Sequence, residues 1–120
     1  MRQIILLLSL LLLFACIPKT SLQNAKQNET KETTYRFVIS FYSQASGINK
    51  EALEDLKLYL SKKEPTIKYE VKNWGREGEK DICFEINELT AEQQNQFIKR
   101  IRSKLEGKDL IRIKENSTSH

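Results

Sequence analysis

Between Tyr35 and Lys114 the apolar residues change their spacing several times, and that succession constrains the fold more than any other feature. Tyr35, Phe37, Ile39 and Phe41 alternate within Tyr35–Tyr42, a segment rich in aromatic and β-branched residues, which predicts a strand. Ala52, Leu53, Leu56, Tyr59 and Leu60 then fall on one stripe of a helix. Ile67, Tyr69 and Val71 alternate again, with Lys68, Glu70 and Lys72 between them. Ile82, Phe84 and Ile86 form a third alternating set, with Asp81, Cys83 and Glu85 on the opposite face. Phe97, Ile98, Ile101 and Leu105 make a second helical stripe, and Leu110–Lys114 reads as a last strand.

The punctuation agrees with those periods. Asn49 suits a helix N-cap, with Ile48 and Leu53 placed as a hydrophobic staple, and Pro65 stops that helix. Trp74-Gly-Arg-Glu-Gly78 reads as a hairpin connection. Thr90 and Gln93 have capping-box spacing, and Gly107 stands where a C-terminal cap belongs. The order β-α-β-β-α-β is the ferredoxin-like, split βαβ pattern of an α+β domain. It predicts a four-stranded antiparallel sheet, strands ordered 4-1-3-2, with two helices on one face. The name describes topology only: the cysteines an iron–sulfur cluster needs are missing.

The composition breaks sharply ahead of this domain. Ile4–Ala15 is apolar except for Ser9 and follows one positive residue, Arg2. The run is too short for a permanent span, which needs about 20 apolar residues, and matches the apolar core of an export signal. Its end, Leu13-Phe14-Ala15-Cys16, resembles the lipobox of bacterial lipoproteins: an aliphatic residue, a variable one, a small one, then cysteine. The resemblance implies that the Cys16 thiol receives a diacylglyceryl group, that cleavage falls between Ala15 and Cys16, and that further acylation, such as palmitate, follows. Two or more acyl chains anchor stably, at about 0.8 kcal/mol per buried methylene. The organisation expected is a signal peptide over 1–15, a lipidated Cys16 with a polar tether over 16–33, the domain over 34–115 and a polar tail over 116–120. The tether is poor in large apolar residues and cannot offset its own ordering entropy. An ordinary secreted domain, with Cys16 free or in a disulfide, is the competing reading.

Charge narrows the partners. The chain has 20 Lys+Arg against 16 Asp+Glu, and loss of the leader removes one basic residue and no acid. So small an excess does not indicate nucleic acid, whose binders gather basic residues on one face. The single histidine, His120, lies in the polar tail, so no Ser-His-Asp or Cys-His arrangement is visible. Without a Cys-x-x-Cys motif or a cluster of soft ligands, neither a redox role nor a metal site is expected, and no cofactor is implied. Cys83 falls on the face without helices, as a half-buried small residue or as the thiol of an intermolecular disulfide.

The topology gathers three connections at one end: Ser43–Gly47, Trp74–Gly78 and Glu106–Asp109. Tyr42, Ser43, Trp74, Arg76 and Glu77 are the candidate binding residues there. An aromatic pair beside a guanidinium can hold a planar, acidic or peptide ligand, and Trp, Tyr and Arg are enriched in interface hot spots. The bland alternative is that Trp74 packs the hairpin onto the sheet while Arg76 and Glu77 are solvated. The helix-free face, with Arg36, Val38, Ser40, Asp81, Arg112 and Lys114, reads as solvated or as a sheet-to-sheet dimer contact. Ile39–Ser43, Gly47, Tyr69–Val71, Trp74–Gly78, Asp81 and Cys83 together resemble stretches of small bacterial proteins, and that resemblance implies no activity. The expectation is a membrane-tethered interaction module with a protein or envelope ligand. A self-associating structural component of the envelope is the alternative.

Overall fold

The computed structural model of the chain describes residues 31–120. The expected leader, Ala15, Cys16 and most of the expected tether lie outside the described residues.

The order of elements is β1 (Thr34–Phe41), α1 (Lys50–Lys63), β2 (Lys68–Asn73), β3 (Lys80–Glu85), α2 (Ala91–Leu105) and β4 (Ile111–Thr118). The strands form one antiparallel sheet in the order β2-β3-β1-β4, the ferredoxin-like α+β arrangement. Both helices begin as their sequences dictate. The Asn49 side chain accepts the Ala52 N–H at 3.0 Å. Thr90 and Gln93 close a reciprocal capping box, with Thr90 Oγ1 accepting the Gln93 N–H and Gln93 Oε1 accepting the Thr90 N–H.

The main core lies between the helices and one sheet face. Phe37, Ile39 and Phe41 of β1 and Ile82 and Phe84 of β3 meet Leu53, Leu56 and Leu60 of α1 and Phe97, Ile98 and Ile101 of α2. Phe37, Phe84 and Phe97 form its aromatic centre, with ring centroids 5.3 to 6.2 Å apart. Truncating one such ring to alanine costs about 3–5 kcal/mol.

Five expectations need correction. Tyr35 does not share the face of Phe37. Its ring joins Val38 and Cys83 in a small second cluster, and its hydroxyl donates to Glu70 at 2.6 Å. Arg36 leaves the helix-free face and reaches Asn95 of α2 as well as Glu115. Opposite this break, in the partner strand β4, stands Asn116 with a left-handed backbone, φ 49°. Strand β2 is an edge strand that the helices cover incompletely, so Tyr69 and Val71 stay 37% and 40% exposed.

The helix-free face is not solvated at its centre, because Val38, Ser40, Asp81 and Cys83 are all buried. The final correction concerns the end of the chain. β4 runs on to Thr118, since Ser117 and Thr118 pair with Tyr35 and Thr34 through the backbone, which needs no apolar side chain.

Candidate functional site

The connections expected to cluster do meet. Ser43 Oγ donates to a Glu77 carboxylate oxygen and also accepts the Gly47 N–H at 3.0 Å, which joins the β1–α1 loop to the β2–β3 hairpin. Asn49 Nδ2 donates to the Asp109 carbonyl at 3.2 Å, and the Tyr42 N–H to the Leu110 carbonyl at 3.1 Å, which brings in the α2–β4 loop.

The hairpin is built around Glu79. Its backbone carbonyl accepts the Trp74 N–H at 3.0 Å, and its carboxylate turns inward to accept the Glu77 N–H at 2.8 Å. Gly75 makes room for that carboxylate and takes the left-handed backbone, φ 65°, that the turn demands.

The candidate residues do not form one pocket. Ser43 and Glu77 bond to each other. Tyr42 lies under the Arg112 guanidinium, 5.2 Å from ring centroid to Cζ. The Trp74 indole N–H donates to Asp81 Oδ1 at 2.9 Å, and its ring carries the His120 imidazole, stacked at 4.0 Å and 18°. Arg76 is exposed on the hairpin tip and makes no side-chain hydrogen bond or ion pair among the described residues. The aromatic pair expected beside Arg76 is therefore two rings, each already engaged by its own partner.

His120 is the residue sequence reasoning misplaced. It is not a loose tail residue: its backbone N–H donates to Asp81 Oδ2 at 2.7 Å, and its Nδ1 lies 2.9 Å from the same oxygen. Asp81 is wholly buried. Burial by itself raises the pKa of its carboxyl, but the His120 N–H, the neighbouring Ser40 hydroxyl and the imidazole outweigh it and hold the carboxyl below its ordinary range. Ser40 Oγ, on the β1 residue paired with Asp81, is buried without a well-formed hydrogen bond. No sequence period links positions 81 and 120, so only the alternation that put Asp81 on this face pointed here.

Among the described residues no Ser, Thr or Cys side chain hydrogen-bonds the His120 ring. The Cys83 thiol is pushed up to about 11 by burial, with the Asp81 charge adding to the effect, so it remains a thiol at neutral pH. No group of three or more His, Cys, Asp or Glu among the described residues could hold a metal ion.

Two grooves are lined largely by other residues. One, about 440 Å³, is lined by Thr33, Tyr35, Arg36, Lys68, Glu70 and Glu88, among others, where the chain enters β1. The other, about 540 Å³, runs between α2 and β4 over Ile98, Leu105 and Ile113. Comparison of the chain with protein-family models, with curated proteins and with solved structures finds no significant match.

Proposed function

We propose that this is a lipid-anchored protein of the bacterial cell envelope, held by acyl chains on Cys16 after loss of residues 1–15. Its domain is a small interaction module that offers the end around Trp74–Arg76 to a protein or envelope ligand. The sequence Leu13-Phe14-Ala15-Cys16 supports the anchor. One geometric observation carries the module. β1 begins at Thr34, next to the expected tether, and ends at Phe41, where the joined loops begin. Eight extended residues span about 26 Å, so the hairpin tip stands at the end of the sheet opposite the point of attachment. Arg76 projects there from a hairpin that Glu79 and the Ser43–Glu77 bond hold in shape.

Photo-crosslinking in cells tests the reading. A photoreactive side chain replaces Arg76 in one full-length variant and Leu58 in another; Leu58 is exposed on α1. A discrete adduct from position 76 and none from position 58 supports the module. No adduct at 76, or the same adducts at both positions, rejects it.

A further inference from the structure

We propose that Trp74 and Asp81 form a binding site for an imidazole group. The chain's own His120 fills this site, and it accepts a histidine side chain from another polypeptide when the tail is away. The site is built only from contacts within residues 40–120 and is independent of the membrane anchor.

The site has three parts. The Trp74 ring is a flat platform on which the imidazole stacks at 4.0 Å. The Asp81 carboxylate is fully buried; one oxygen accepts the His120 backbone N–H at 2.7 Å and faces the ring's Nδ1 at 2.9 Å, and the Trp74 indole N–H fixes the other oxygen at 2.9 Å. Beside it the Ser40 hydroxyl is buried and lacks a well-formed bond. Among the described residues Asp81 has no Lys or Arg partner within ion-pair distance; its one such partner is the His120 ring. A buried carboxylate oxygen left without a donor is costly, which gives the site a standing demand for a flat, N–H-bearing group. Strand β3 and the β2–β3 hairpin supply the carboxylate and the platform, so the site's walls do not depend on the residue that fills it. His120 is 30% exposed at its side chain and lies outside the main core, so the site opens to solvent on that side.

Trp74 is the only tryptophan in the chain, so its emission reports on the site directly. The experiment uses the full chain extracted in detergent, as wild type and as His120→Ala, with circular dichroism to check the fold. Each is titrated with imidazole and, separately, with 1,3-dimethylimidazolium, a flat cation without an N–H. The expected result is saturable recovery of the wild-type emission in His120→Ala with imidazole. Dimethylimidazolium should bind about tenfold more weakly or worse, for want of the bond to Asp81. Wild type should show only a linear, collisional response, because the site is filled. Should His120→Ala not fold, His120→Asn is titrated in the same way. A linear response in the variants, saturation at the same midpoint in wild type, or equal binding of the two probes would overturn the proposal.

Discussion

The imidazole of His120 lies 2.9 Å from the carboxylate of Asp81, although the two stand 39 positions apart in the chain. The contact ties His120 to the middle of the sheet and helps bury a charge that the alternation of β3 places on the helix-free face. Its consequences are measurable, as are those of the loop architecture beside it.

Acid should weaken the fold in a defined window. The Asp81 carboxyl lies below its ordinary range because the His120 and Ser40 contacts outweigh its burial. Glu115 is lowered by hydrogen bonds from Arg36 and then Arg102. Both pKa values are depressed in the folded state, so their contribution is fully present above the unfolded carboxylate values of about 4. It is lost as pH falls through the lower folded values. Melting temperature followed from pH about 6 to about 2 should drop below pH 4, and Glu115→Gln should flatten that drop. An unchanged acid limb in the variant would show that Glu115 is not part of the linkage.

Gly75→Ala should cost more than Gly78→Ala. Both glycines have positive φ, but a Cβ on Gly75 collides with the Glu79 carboxylate while one on Gly78 meets nothing within 4 Å. Urea denaturation should show a loss of about 1–3 kcal/mol at Gly75. The loss at Gly78 should be smaller, from backbone strain alone. Equal losses would mean that the inward Glu79 carboxylate does not organise the hairpin.

Cys83 should be inert in the native protein. It is buried and its pKa is pushed up to about 11. In a Cys16→Ser chain, a thiol reagent at pH about 8 should label Cys83 only after denaturant is added. Rapid labelling of the folded chain, or a disulfide-linked dimer under oxidising conditions, would contradict this burial.

Much of the fold could be read in advance because it is locally encoded. The stripes Leu53-Leu56-Leu60 and Phe97-Ile98-Ile101, the Thr90–Gln93 capping box and the hairpin glycines each act within a few residues. What escaped depends on contacts between distant segments. Tyr35 fits the alternation of β1 but leaves its face where Asn116 of the partner strand turns left-handed, a relation across 81 positions of chain that no local period records. Asp81 and Cys83 read as an open polar face because their cover comes from distant segments: His120 lies over Asp81 and Tyr35 clusters with Cys83. At the candidate site, the meeting of Ser43 with Glu77 followed from topology. The engagement of Trp74 by His120 did not, because a polar tail of small residues carries no packing signal.

The proposed membrane anchor is decided by the state of Cys16. Intact-mass and fragment-ion spectrometry of the protein extracted from membranes of its own cells measures that state directly. The expected mature chain starts at Cys16, bears a diacylglyceryl group on its sulfur and lacks residues 1–15. A chain that still begins at Met1, or one recovered from the soluble fraction with that sulfur unmodified, would contradict lipid anchoring.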